Sequence, residues 1–415
     1  MSESIHTKRT DCRLCESEDL VSVIELRPSA LADSYLRNKE KAKQLESYPL
    51  NLYLCRNCGH TQLLDVIDPE VIYRNYIYST TSSLGLVDHF CDYAEHVIEF
   101  AGIEDGALVV DIGSNDGSLL RAFKGKNMRV LGIDPAVDIA KQASDGGIET
   151  IPEFFDKERA VKIRKKYGVA KIITINNLLA NIDCMREIFD SIVSLLDEDG
   201  IFVVEFAYVG DLIKNMVFDY IYHEHLSYFS IQPLTEFAGT FGLQLLEARP
   251  QSTKGGSMRL IFQRSGGERE KADDLEEIIG NETKLCLRNE NVFQSFCGRI
   301  DSCREELLAF LKAETAEGKS IAGYGASATS TTLIHHFGLG EYIEFLVDDF
   351  EAKQGCYSPG SGIPVLAPSE LYSRSPDIVL ILAWRYAEPI MQKHNAYSQK
   401  GGRFIVPIPK LQVSM

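Results

Sequence analysis

Tyr222, His223, Glu224 and His225 stand side by side in the stretch IYHEHLSYFS. All four side chains can carry or exchange a proton, and aromatic residues follow at once. Two histidines and a glutamate can make a metal site, an acid/base site or an ordinary polar turn. A catalytic metal is disfavoured, because consecutive residues rarely converge on one ion and the helical H-E-x-x-H spacing is absent. In an extended strand Tyr222 and Glu224 would share one face, and His223 and His225 the other. Convergence of all four would need a bent backbone, so one histidine is expected to face away.

A second constellation is made of cysteines. Of ten in the chain, four form two C-x-x-C pairs: Cys12 and Cys15 in CRLC, Cys55 and Cys58 in CRNC. A C-x-x-C on a tight turn aims two sulfurs at one point, and two such turns complete a tetrahedral zinc site. Gly59 suits the bend of the second turn. The gap of about forty residues between the pairs is long for a compact ribbon, and a redox dithiol is the competing interpretation. Four thiolates saturate the metal, so this zinc is expected to be structural, holding a module too small to fold on its core alone. Its removal is expected to change cofactor affinity only modestly.

These residues must be positioned by a chain of 415 residues, too long for one core and consistent with two to three domains. The formal net charge of -17 repels phosphate, which argues against nucleic acid or an anionic membrane as a non-specific partner. No apolar run approaches the roughly 20 residues of a membrane span, and MSESIHTKRTDCRLC has no signal-peptide core. A cytoplasmic location with reduced thiols is expected. The sequence leaves the oligomeric state open, a monomer included.

The segment from Val71 to about Phe100 has helical spacing. After it, ALVVDIG reads as a buried strand, and Gly113, Asn115 and Gly117 form a backbone-exposing turn before the helix SLLRAF. RVLGIDP is a second strand ending at Asp134, and AKIITINNLLANI a further strand running into a loop at Asn176 and Asn177. Strands alternating with helices predict an α/β fold with a doubly wound parallel sheet and its ligand at the C-terminal strand ends. Glycines after the first strand and an acid after the second serve dinucleotides and S-adenosylmethionine alike. Asp111 and Asp116 in DIGSNDG would repel a pyrophosphate but suit the cationic aminoacyl end of S-adenosylmethionine, which is therefore preferred. A charged helical stretch from about Lys271 to Glu317 follows. KSIAGYGASATSTTLI then repeats the strand-turn-helix pattern, with Gly323, Gly325 and Ala328 matching a dinucleotide fingerprint. The hydroxyl-rich helix start from Ala326 through Ser327 to Ser330 suits phosphates, and a following strand ends at Asp348.

The whole chain resembles the sugar C-methyltransferases, S-adenosylmethionine-dependent enzymes that act on nucleotide-linked 4-keto-6-deoxy sugars. The likeness is carried, in order, by the cysteine pairs, DIGSNDG, YHEHLSYFS, GGSMRL and GYGA. It implies a zinc-binding module over residues 1–75, a class I methyltransferase Rossmann-like domain over 76–268, and a helical linker plus second Rossmann-like domain over 269–415. It further implies methylation at sugar carbon 3, beside the C4 ketone, with the nucleotide-sugar held largely by the last domain. Tyr222, Glu224 and His225 match the family's Tyr-x-Glu-His group, and Tyr76 is a further candidate. Cofactor candidates are Asp111, Gly113, Asn115, Asp134, Asn176 and Asn177. Substrate candidates are Gly323, Gly325, Ala326, Ser327, Asp348, Lys353 and Tyr357.

Making a carbon–carbon bond beside a ketone needs a base for the C–H proton and a donor for the enolate oxygen. His225 is the best base, since neutral imidazole titrates near pH 7, and Tyr222 can donate to the oxyanion. Two departures from the family pattern stand out. Asn181 occupies a position where the family often has histidine, and asparagine cannot act as a base. Thr329, Ser330 and Thr331 replace Lys-Gly-Asn, removing a phosphate-binding cation that Lys353 could supply. Two alternatives remain: an NAD-dependent oxidoreductase built on the C-terminal fingerprint, and a non-catalytic zinc-ribbon binding protein.

Overall fold

The computed structural model describes residues 5–73 and 86–414. Tyr76, and the helical pattern across 74–85, lie outside the described residues. Two compact units are interleaved along the chain. The first comprises residues 1–21, 54–210 and 226–288, and the second residues 22–53, 211–225 and 289–415.

The first unit is built on seven strands: β1 (Leu108–Ile112), β2 (Arg129–Ile133), β3 (Thr150–Ile151), β4 (Ala170–Asn176), β5 (Leu196–Ala207), β6 (Leu243–Gln251) and β7 (Ser257–Arg264). They lie in the order 3-2-1-4-5-7-6. The first five run parallel and β7 pairs antiparallel with both β5 and β6. This is the strand order of class I methyltransferases. β1, LVVDI, is buried at every position, as a central parallel strand covered on both faces must be. Helix α1 (Leu86–Ala101) covers one face through Phe90, Tyr93, Ala94, Val97 and Ala101. Those spacings of three and four put one apolar stripe on the sheet. Helix α2 (Ser118–Gly125) adds Leu119, Leu120 and Phe123 to the same core, and helix α3 (Met185–Leu195) buries Ile188, Phe189 and Ile192.

In the second unit six strands lie in one sheet, β8 (Ile321–Tyr324), β9 (Phe345–Val347), β10 (Val365–Leu366), β11 (Ile378–Ile381), β12 (Arg403–Val406) and β13 (Gln412–Val413), ordered 10-9-8-11-12-13. All neighbours are parallel except the last pair. The charged stretch Lys271–Glu317 is not one helix. It divides into Leu275–Lys284 and α4 (Glu290–Ala316). Cys286 has φ of 53°, and the Asn289 carboxamide caps α4 by accepting the Asn291 N–H at 3.0 Å. Leu285 is 40% exposed at this break. Helix α5 (Ala328–Phe337) follows β8. Among the described residues no helix is long and apolar enough to cross a membrane.

Candidate functional site

The turn after β1 opens the main cavity of the first unit, about 360 Å³ in volume. Gly113 has φ of 78°, and a Cβ there would meet the Leu178 side chain at 2.6 Å, so a side chain at this position would be strained and would displace Leu178. Asn115 is also left-handed, with φ of 48°. Asp134, at the end of β2, accepts the Asn115 N–H and the Ala136 N–H, both at 2.9 Å. Its carboxylate thereby ties the first turn to the second strand. Asp111 is the penultimate residue of β1 and accepts the Thr174 hydroxyl at 2.6 Å. Burial pushes its carboxyl up to about 7, against the Thr174 hydrogen bond, and the charge of Asp134 adds to the rise. Asn176, Asn177 and Asn181 line the same cavity. Asn177 Oδ1 and Asn181 Oδ1 are buried acceptors with no partner among the described residues, as expected of groups that meet a ligand.

Asp116 does not join them. Its carboxylate accepts the Ser118 N–H at 3.1 Å and the Ser118 hydroxyl at 2.6 Å, starting α2 instead of lining the cavity. Other residues do line it that sequence reading passed over: Phe90, Glu153, Phe154, Phe155, Asp183 and Lys254. The PEFFD segment that supplies three of them follows β3, a strand of two residues, too short to register as a period. In all, Asp111, Asp134, Glu153, Asp156, Asp183 and Glu187 face a cavity whose one basic lining residue among those described is Lys254. Arg159 pairs with Glu153, and Arg9 and Arg13 pair with Asp183. The remaining surplus of carboxylates suits a cation and opposes a pyrophosphate.

The four cysteine sulfurs lie within 4.8 Å of one another. Cys12 and Cys58 approach to 3.6 Å, as do Cys15 and Cys55. A tetrahedron with zinc–sulfur bonds of 2.3 Å has edges of about 3.8 Å, so the cluster fits zinc without rearrangement. The neighbouring Cys58 thiol pulls the Cys12 thiol below its ordinary range, the direction that favours metal binding.

The Tyr222–His225 stretch belongs to the second unit and is irregular, not extended. The His225 N–H closes a turn onto the Tyr222 carbonyl at 2.9 Å. That bend brings the Tyr222 and His225 rings to 4.2 Å between centroids, and Tyr220 packs at a tilt against His225 at 4.5 Å. His223 turns elsewhere: Nε2 meets the Pro49 carbonyl at 3.1 Å, and the ring packs edge-on against Tyr48. His225 Nδ1 lies 3.0 Å from the Tyr220 carbonyl. A carbonyl only accepts, so Nδ1 carries the proton and Nε2 keeps the lone pair. Burial pushes the Tyr220 phenol up to about 12, with the Glu224 charge assisting. The segment is anchored from below. Asp219 accepts from Trp384 Nε1 at 2.9 Å and Arg385 at 3.3 Å, and the Thr332 hydroxyl donates to the Ile221 carbonyl at 3.0 Å.

In the same unit the β8–α5 turn uses Gly325 at φ of 109°, where a Cβ would strike Ala383 at 2.8 Å; Gly323 lies within β8. Asp348 accepts the Ala326 N–H at 2.5 Å. The Ser327 hydroxyl caps α5 by accepting the Ser330 N–H at 3.2 Å. Thr329 and Ser330 hydroxyls lie 2.9 Å from it, and Thr331 donates to the Ala32 carbonyl. Lys353 is buried, with Nζ 2.5 Å from Asp33 and 2.9 Å from the Ala326 carbonyl. Tyr357 bridges to Leu36 and Pro364.

Comparison with known proteins gives this geometry a family. The chain is 33% identical to the C-methyltransferase NovU of Streptomyces niveus over 404 residues, covering 97% of this chain and 96% of that one. The chain belongs to the C-methyltransferase family. Three family models match in sequence order: a zinc binding domain at residues 12–73, a methyltransferase domain at 87–248 and a C-methyltransferase C-terminal domain at 252–409. Solved structures with partial likeness include magnesium protoporphyrin IX methyltransferase from Synechocystis PCC 6803 with bound S-adenosylhomocysteine, at 17% identity and TM-score 0.35, covering 47% of this chain and 92% of that one. Another is an S-adenosylmethionine-dependent methyltransferase from Clostridium acetobutylicum, at 11% identity and TM-score 0.36, covering 43% and 92%. The C-methyltransferase uses S-adenosylmethionine as cofactor and carries a structural zinc site in its four cysteines.

Proposed function

We propose that this C-methyltransferase adds a methyl group to carbon 3 of a nucleotide-linked 4-keto-6-deoxy sugar through an enolate. The observation that carries the chemistry is the His225 ring, with Nδ1 committed to the Tyr220 carbonyl and its face against Tyr222. Nε2 of that tautomer takes the proton from the carbon beside the ketone. The Tyr222 phenol donates to the enolate oxygen as charge develops there. Glu224 orients the sugar, and Asn181, unable to act as a base, binds without competing for the proton. Bound S-adenosylmethionine supplies an electrophilic methyl group. Asp134 holds its ribose hydroxyls, Asp111 faces its cationic end, and Gly113, Asn115, Asn176 and Asn177 shape the wall. The β8–α5 turn, from Gly323 and Gly325 to Ala326 and Ser327, takes the nucleotide of the substrate with Asp348, Lys353 and Tyr357. The family resemblance supports the sugar and carbon 3. Incubation with nucleotide 4-keto-6-deoxy sugars and labelled S-adenosylmethionine tests the assignment by mass analysis. Transfer of one label to a carbon of the sugar supports it; label on oxygen or none at all sinks it.

Two cofactor predictions follow from the cavity. Asp134→Ala is expected to weaken S-adenosylmethionine binding by about 2 kcal/mol, the scale of losing charge-assisted hydrogen bonds. Titration calorimetry with unchanged affinity would refute the assignment. The second concerns pH. A cation beside Asp111 favours its ionised form, and its carboxyl titrates near 7 in the free enzyme. Binding must therefore expel protons below that point, so affinity should rise from about pH 6 to 8 and then level. Calorimetry in buffers of different ionisation enthalpy reads the released protons, and Asp111→Asn should abolish both release and slope. A native enzyme with a flat profile over that range would contradict the role.

A further inference from the structure

Arg13 sits between the two cysteines of the first knuckle, and its side chain is wholly buried. Its contacts reach well beyond the zinc cluster. Nε donates to Asp183 at 2.8 Å. Nη1 donates to the Gln62 carboxamide oxygen at 3.2 Å, to the Leu63 carbonyl, and to the Leu226 carbonyl at 3.3 Å. Arg9 donates to the same Asp183 carboxylate at 3.1 Å. Asp183 lines the main cavity together with Asn181. Leu226 is the residue that follows His225 in the chain. Its N–H donates to the Ala180 carbonyl at 2.7 Å, and its carbonyl also accepts the Leu63 N–H at 2.9 Å.

We propose that Arg13 is a positioning residue for methyl transfer: one guanidinium, set in place by the zinc knuckle, fixes the Ala180–Asp183 wall of the cofactor cavity and the backbone at Leu226. The planar fork of arginine suits this task, since a single group reaches a carboxylate and several carbonyls at once. A buried charge is a poor source of stability compared with apolar packing. Nη2 has no acceptor among the described residues, so the side chain is not optimised for stability alone. What the fork supplies is registration between the metal site and the cavity. This role rests on the cavity being the cofactor site, as proposed above.

The test uses full-length Arg13→Met, Arg13→Lys and Asp183→Asn, with zinc counted per chain and S-adenosylmethionine binding measured by calorimetry. Arg13→Met and Asp183→Asn should each keep one zinc and weaken binding by about 10-fold, the scale of one charge-assisted hydrogen bond. The double variant should lose less than the sum of the two singles, because each single already breaks the Arg13–Asp183 contact that they share. Arg13→Lys should fall between, keeping charge towards Asp183 but losing the carbonyls. If Arg13→Met loses its zinc, Asp183→Asn decides, since Asp183 is partly exposed and leaves the knuckle intact. Native affinity in Asp183→Asn overturns the proposal. Asp134→Ala separates the two levels. If it too binds like the native chain, the cavity assignment falls; if it alone weakens binding, only the positioning role falls.

Discussion

His225→Ala is expected to lose proton exchange and methylation together, by about 100-fold or more, the usual effect of removing a general base. The expectation rests on the tautomer: Nδ1 is taken by the Tyr220 carbonyl, leaving the lone pair on Nε2. The two steps can be watched separately. With cofactor omitted, the native enzyme should wash solvent deuterium into the carbon beside the ketone, provided its site assembles without cofactor. Tyr222→Phe should lower both rates less, because the ring still packs on His225 while the donor to the enolate is gone. A His225→Ala enzyme that exchanges at the native rate would reduce His225 to substrate binding. Tyr76 would then be the next candidate. His223 is a weaker one, since its ring turns away from the Tyr222–His225 pair and packs edge-on against Tyr48.

Loss of the zinc site is expected to be equally severe, but for the fold. Structural zinc contributes roughly 10–16 kcal/mol of apparent binding energy, and that energy is folding energy. Cys58→Ser should yield protein with no stoichiometric zinc and an unfolded knuckle region, read by metal analysis and by proteolysis around residues 9–21. Through Arg13, the damage should also reach cofactor affinity. That goes beyond the modest change in affinity expected from the sequence, which treated the module as self-contained. Cys58→Ser protein that folds and binds S-adenosylmethionine normally would count against both statements.

The chain was legible wherever chemistry and spacing coincide locally. DIGSNDG, the acid at Asp134 and the asparagines after β4 surround one cavity because they sit at the ends of adjacent parallel strands, a relation that alternating strands and helices encode directly. The cysteine pairs were legible for the same reason, since each pair shares one turn. What sequence could not supply were relations fixed by tertiary packing. Asp116 reads like its neighbours in DIGSNDG, yet a serine two residues on claims its carboxylate. The bend that packs Tyr222 against His225 leaves no periodic trace. Arg13 looks like any residue inside a C-x-x-C, and its partners lie some fifty to over two hundred positions away.

The interleaving of the two units explains the long gap between the cysteine pairs, and it has a consequence for synthesis. Residues 22–53 belong to the second unit, so the gap is an excursion out of the first unit, closed at its base by the metal. All four ligands have been made once residue 58 leaves the ribosome, whereas the bulk of the second unit, residues 289–415, comes last. At about 5–20 residues per second, that interval lasts roughly 10 to 50 s. Throughout it the nascent chain carries a metal-clasped loop while the bulk of the unit to which that loop belongs is still unmade. Zinc supply during translation is therefore expected to bear on the yield of this enzyme.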